Sequence, residues 1–154
     1  MPRPLKPKVI LASTQSSFIP GARIEVSDPD FQSLFSAALS KVPPDVLPIH
    51  TLAEVRLRHK GRLPGLVGLT WYGTRQRRPD AKAKQHITFY TDLLDKLSNE
   101  AKMAVIAHEL AHAWLNEHMR PEQSRNREKE ADDLAIRWGF GGQFAALETE
   151  TEAV

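Results

Sequence analysis

The sequence predicts an α+β domain in which a small sheet, of three strands or slightly more, packs on two successive helices. Three observations carry that expectation. The stretches 55–59, 66–72 and 86–90 have the alternation and the β-branched and aromatic content of strands. The run Val105-Ile106-Ala107-His108-Glu109-Leu110-Ala111-His112-Ala113-Trp114-Leu115 is built of helix formers and is apolar nearly all round, so it should be a buried helix. After the break at Arg120-Pro121 a second helical pattern runs from about Ser124 to Trp138.

A chain of 154 residues is expected to form one domain, burying roughly 70% of its unfolded surface around a single core. With 41% apolar and 26% charged residues, the composition is that of an ordinary globular chain. No apolar run approaches the length of about 18 residues needed to span a membrane, so no membrane partner is expected. Val9-Ile10-Leu11-Ala12 is too short for a signal-peptide core, which makes a cytoplasmic location the default. The absence of cysteine removes disulfides and thiolate metal ligands.

The net charge of +2 is unevenly spread. Arg56, Arg58, Arg75, Arg77 and Arg78 lie in a basic stretch that ends at Gln85, while Glu148, Glu150 and Glu152 make the C-terminal end acidic. A basic loop raises the possibility of a nucleic-acid or acidic partner. No interleaved aromatics accompany it, so solvated strand faces and a hairpin loop are the preferred reading.

In chain order, residues 1–20 read as a flexible basic, proline-rich arm, through Pro2, Pro4 and Pro7 among Arg3, Lys6 and Lys8. Residues 21–142 form the single predicted domain. Asp28-Pro29 is a helix N-cap and first-turn pair. Phe31, Leu34, Phe35, Ala38 and Leu39 recur at helical spacing until Pro43-Pro44. The three strands follow, the last two joined by a long polar loop from Thr74 to Gln85, most simply as a hairpin. Ser98 or Asn99 caps the central helix, expected to reach about Glu117. Gly139 is a natural stop for the last helix, and residues 143–154 read as a short acidic tail.

The central helix carries the chemistry. His108 and His112 are four residues apart, so both imidazoles lie on one face and can reach one ion, with Glu109 at the edge of that face. A catalytic zinc takes three protein ligands, keeps one position open and acidifies water to a pKa of about 7. A glutamate beside that position can accept the proton and deliver it to a leaving amine. These are the requirements of zinc-dependent peptide hydrolysis, with a peptide or protein as substrate.

Two histidines leave the ligand set incomplete. Glu128 and Asp132 are i and i+4 on the second helix and project together. Glu128 borders the apolar stripe of Ala131, Leu134, Ala135 and Trp138, so it can face the metal as third ligand. Asp132 can then accept the outer N–H of a ligating histidine. Glu130 points about 200° away from Glu128 around the helix and is an alternative, as is His118. The spacing of His118 from His112 fits a metzincin site, but Leu115 stands where that arrangement has the glycine that turns the chain.

His108-Glu109-Leu110-Ala111-His112 followed by Glu128-x-x-x-Asp132 resembles the gluzincin zinc metallopeptidases, in particular the minigluzincins and the ImmA/IrrE-like enzymes. The resemblance covers roughly residues 66–138. It implies a zincin-like fold in which the sheet lies over the active-site and glutamate helices. It also implies zinc on His108, His112 and Glu128, Glu109 as general base and acid, and Asp132 orienting a histidine. By the same resemblance, strand 86–90 borders the cleft and pairs with an extended substrate. Tyr90, Tyr72 and His118 are candidates for the transition-state stabiliser. The strand, the His-Glu-Leu-Ala-His order and the basic loop also resemble SprT-like, nucleic-acid-associated proteases, which use a later histidine as third ligand. A non-catalytic zinc-binding regulatory module is a further alternative.

Overall fold

The computed structural model describes residues 23–25, 28–47, 49, 51–59, 68–72, 85–118 and 126–152. The N-terminal arm and Arg75, Arg77 and Arg78 of the basic loop lie outside them. The described chain starts with strand β1 (Arg23–Glu25) and continues into helix α1 (Pro29–Lys41). The α1 N-terminus forms where the Asp28-Pro29 pair predicts it. The Asp28 carboxylate accepts the N–H groups of Asp30 at 2.9 Å and Phe31 at 3.4 Å, satisfying two donors that the first turn leaves open. Phe31, Phe35, Ala38 and Leu39 form its buried stripe.

Strands β2 (Leu52–Arg58), β3 (Gly68–Tyr72) and β4 (Gln85–Tyr90) complete a four-stranded sheet in the order β1-β2-β4-β3. β1 and β4 flank β2 and run parallel to it, and β3 runs antiparallel to β4, with Gly68 opposite Phe89 and Tyr72 opposite Gln85. The result is a mixed α and β fold. β1 has no counterpart among the expected strands, because three residues are too few to show a period. Its register against Glu54–Arg56 of β2 defines it.

One expectation is overturned by this topology. Strand 86–90 was to border the cleft and pair with substrate, but β4 is an interior strand, hydrogen-bonded to β2 on one side and β3 on the other. Its main-chain groups are already used. β3 is the outer strand, and among the described residues nothing pairs with its other edge.

A short helix, α2 (Thr91–Leu94), leads to the long helix α3 (Asn99–His118), which touches β3, β4 and every later helix. Its all-round apolar sequence is matched by burial of Ala101, Ala104, Ile106, Ala107, Leu110, Ala111 and Ala113. The many alanines let neighbouring elements come close. Helix α4 (Arg127–Ala135) follows, then a wide π-type turn over Ile136–Phe140, and then helix α5 (Gly141–Glu152). No described helix is long and apolar enough to cross a membrane.

Two late-chain expectations differ from the structure. Gly139 does adopt the left-handed conformation, φ 106°, but it kinks the helical path where a stop was expected. The stretch taken as an acidic tail is largely α5. Glutamates concentrated toward a helix C-terminus oppose its dipole, so the sequence lacks a helix-stop signature there. Tertiary packing decides instead, with Phe144 and Leu147 resting on the core. Polar contacts add to it. Gln143 donates to Glu100 at 2.8 Å, and the Glu150 carboxylate accepts the Ser98 N–H at 2.7 Å and the Ser98 hydroxyl. The same Ser98 oxygen accepts the Ala101 N–H at 3.2 Å, capping α3.

The Ser98 hydroxyl and then the Ser98 N–H hold the Glu150 carboxyl below its ordinary range, against a weaker opposing effect of burial. A lowered folded-state pKa contributes stability that is full above the unfolded value, about 4.3 for glutamate, and is lost as pH falls through the folded one. The parent should therefore melt above Glu150→Gln at pH 7, with the gap closing as the pH is taken down to 3. A gap that persists unchanged at pH 3 would remove the ionic contribution of this clamp.

Candidate metal centre

The site is built on the packing of α4 across α3. Asn126 caps α4, its side-chain oxygen accepting the Lys129 N–H at 3.0 Å, and this fixes Glu128 in the first turn. A partly buried polar chain, centred on Gln85, holds the two helix ends together. The Gln85 side chain, fully buried, donates to Thr51 Oγ1 at 2.8 Å and to the Ala113 carbonyl at 2.9 Å. Gln85 Oε1 accepts from Asn116 at 3.0 Å, and the Asn116 oxygen accepts from the Arg127 guanidinium. Arg127 immediately precedes Glu128. The start of β4, the last turns of α3 and the first residue of α4 are thus registered by paired polar groups, each costly to leave unpaired once buried.

In that register His108, His112 and Glu128 each present one ligand atom, all within 4.8 Å of one another. Glu128 Oε2 lies 2.7 Å from His108 Nε2 and 3.2 Å from His112 Nε2. The two imidazoles meet edge to face, 4.5 Å between ring centres. Asp132 Oδ1 is 2.7 Å from His108 Nδ1 and accepts its N–H. Proton placement then decides the chemistry. With hydrogen on Nδ1, neutral His108 offers only a lone pair at Nε2, facing a carboxylate oxygen at contact distance. Two acceptors hold that separation only when a proton or a cation lies between them.

The charges agree. Burial raises the Glu128 carboxyl, but the hydrogen bond and charge of His112, and then those of His108, outweigh it and hold the group below its ordinary range. The Glu128 side chain is 75% exposed, so solvent screens part of that attraction. Two imidazole nitrogens and one carboxylate oxygen, in a chain without cysteine, are a donor set that suits zinc. The residues present therefore fit a zinc ion.

Glu109 is 5% exposed and its Oε2 is 3.9 Å from His108 Nε2, placing it beside the cluster and outside it. His118 and Glu130 do not belong to the group. The His118 ring stacks on Trp114, 4.2 Å between centres, and its Nδ1 donates to the Trp114 carbonyl at 2.9 Å. With Leu115 the helix continues and carries His118 onward, so the histidine that a SprT-like site requires is not supplied. Tyr90 and His118 do not line the cavity that holds His108 and Glu109. The side chain of Tyr72 lies outside the described part.

Two contributions are not apparent from the motif. The polar chain through Gln85 and Asn116 has no local sequence signature. Gly68 has one, since an isolated glycine in a strand pattern marks close approach. A Cβ at Gly68 would stand 3.1 Å from Glu109 Cγ and 3.3 Å from its Oε2. With no Cβ at Gly68, β3 lies against the Glu109 side chain without displacing it.

Two imidazoles, a carboxylate and a neighbouring buried glutamate form a group that could hold a metal ion. Residues 70–129 match the sequence profile of peptidase family M48, a span from β3 to the start of α4 that contains His108, Glu109, His112 and Glu128. The similarity supports a zinc metallopeptidase acting on peptides or proteins. Comparison with curated proteins and with solved structures finds no match.

Gly68→Ala tests the contact with Glu109 directly. The added methyl group displaces Glu109 by a few tenths of an ångström, while His108, His112 and Glu128 are untouched. Zinc content should be unchanged and any hydrolysis that depends on Glu109 should fall roughly tenfold. Unaltered hydrolysis in Gly68→Ala would show that the Glu109 position is not set by β3.

Proposed function

We propose that this protein is a zinc-dependent endopeptidase of the gluzincin arrangement, with His108, His112 and Glu128 as metal ligands and Glu109 as general base. The observation that carries this reading is the convergence of three acceptor atoms on one point beside a buried glutamate. The family match over the same segment supports it.

Zinc, when bound, supplies Lewis acidity and brings the pKa of water to about 7. The protein's own groups do the rest. Asp132 holds the proton on His108 Nδ1 and so keeps Nε2 directed at the metal position. The Glu109 carboxylate takes the proton from the attacking water as its oxygen bonds to the scissile carbonyl carbon. Glu109 then returns that proton to the departing amine nitrogen as the C–N bond breaks. An extended substrate can add to the outer edge of β3, whose Gly68 lines the same cavity as His108 and Glu109. That role passes to β3 from β4.

Glu109→Gln keeps the shape of the side chain and removes the base. It should retain zinc while lowering peptide hydrolysis by at least about a hundredfold, read as cleavage of a fluorogenic peptide library alongside metal analysis. Hydrolysis that survives in Glu109→Gln at the parental rate would rule the mechanism out.

A further inference from the structure

The sheet has two faces, and the metal centre uses one. On the inner face Val55 and Leu57 of β2 and Ile87 and Phe89 of β4 join the core with α1 and α3. Phe31 of α1 meets Phe89 there, 5.2 Å between ring centres. Side chains alternate along a strand, so Glu54, Arg56 and Arg58 of β2 and His86, Thr88 and Tyr90 of β4 form the outer face. Arg58 is exposed, and Glu54, Arg56, His86 and Tyr90 are half-buried. These groups are linked to one another. Arg56 Nε donates to Thr88 Oγ1 at 3.1 Å, which lays the arginine from β2 across to β4. The Glu54 carboxylate lies 3.2 Å from His86 Nδ1 and 3.6 Å from Arg56 Nη1.

β2 opens the most basic part of the chain. Nine of the 21 lysines and arginines lie between residues 54 and 85, against Glu54 and Asp80 alone, although the whole chain is only +2. Six of those nine are arginines, whose planar fork matches a phosphate bidentately. Arg56 and Arg58 are the described members of the set. They stand about 6.6 Å apart along one face, a step that an extended phosphodiester backbone can follow. Tyr90 is opposite Arg58 in the β2–β4 register, which sets an aromatic ring beside a cation distant from it in sequence. Neither Arg58 nor Tyr90 takes part in the metal centre or lines its cavity.

We infer that the outer face of β2 and β4 binds single-stranded nucleic acid, with phosphates on Arg56 and Arg58 and a base stacked on Tyr90. A basic patch attracts any polyanion, and the ring beside the arginines selects the kind. An acidic polypeptide has carboxylates for the arginines but no repeating flat partner for the tyrosine. A single strand alternates phosphates with bases, and every base has a π face. A duplex keeps its bases stacked within and leaves Tyr90 unused. Because α3 packs against the inner face, this surface leaves the metal centre open, and a strand and a peptide can be held at once.

The test is fluorescence anisotropy of a short, labelled single-stranded DNA of mixed sequence, titrated with the full chain over a series of salt concentrations. The parent should bind at low salt, with the logarithm of affinity falling linearly against that of salt. Arg58→Gln should reduce the slope by roughly 0.7, the share of one single-strand phosphate. Tyr90→Ala should weaken binding roughly tenfold at an unchanged slope, and Tyr90→Phe, which keeps the ring, should bind as the parent does. Glu128→Ala, on the helix side of the sheet, should also bind as the parent does. Absence of binding at low salt, a slope that Arg58→Gln leaves intact, or parental binding by Tyr90→Ala overturns the inference. Equal competition by polyglutamate and by unlabelled single strand overturns it as well, and assigns the face to acidic proteins. Should Tyr90→Ala fail to fold, Arg58→Gln, a change at an exposed position, decides alone. The peptidase reading is independent of every one of these outcomes.

Discussion

One carboxylate oxygen set between two imidazole nitrogens is the constraint on which the rest of this structure depends. Glu128 Oε2 lies 2.7 Å and 3.2 Å from His108 and His112 Nε2, while Asp132 occupies the far nitrogen of His108 at 2.7 Å. Acceptors brought this close repel one another unless positive charge joins them. Exposed ion pairs seldom contribute more than about 1 kcal/mol, and the side chain of Glu128 is largely exposed. Coulomb attraction at the surface is therefore too weak to gather these groups. The helices do it, by burying the apolar residues around them.

The buried helix α3 gives the histidines a fixed pair of positions, since its remaining faces are taken up by the sheet and by α1, α4 and α5. α4 brings Glu128 and Asp132 across it, registered through Arg127, Asn116 and Gln85. β3 lies over Glu109, and the missing Cβ of Gly68 leaves that carboxylate undisplaced. The parts that position these side chains come from different elements and meet around the middle of α3. The parts that shape the remainder of the cleft come from the C-terminal turn and α5.

Local signals are where the sequence was informative. The Asp28-Pro29 cap, the apolar stripe of α1, the His108-x-x-x-His112 spacing and the i, i+4 pair of Glu128 and Asp132 each depend on a few neighbouring residues, and each is legible without tertiary contacts. What could not be read depends on long-range pairing. β1 is three residues defined by a parallel neighbour. The interior position of β4 follows from strand order, which periodicity does not encode. α5 carries acidic residues at the end where a helix dipole disfavours them, and it is helical because Phe144, Leu147 and Glu150 find partners on the core and on α3. Gln85 looks like an ordinary strand-end polar residue until its amide is seen to bridge Thr51, Ala113 and Asn116.

Which side chains bind the metal decides whether the proposed enzyme exists. Zinc stoichiometry and affinity, measured by chelator competition on the parent, Glu128→Ala and His118→Ala, address that most directly. The proposed ligand set predicts one zinc per chain in the parent, an affinity reduced at least about tenfold in Glu128→Ala, and parental behaviour in His118→Ala. Full affinity in Glu128→Ala together with loss in His118→Ala would contradict it.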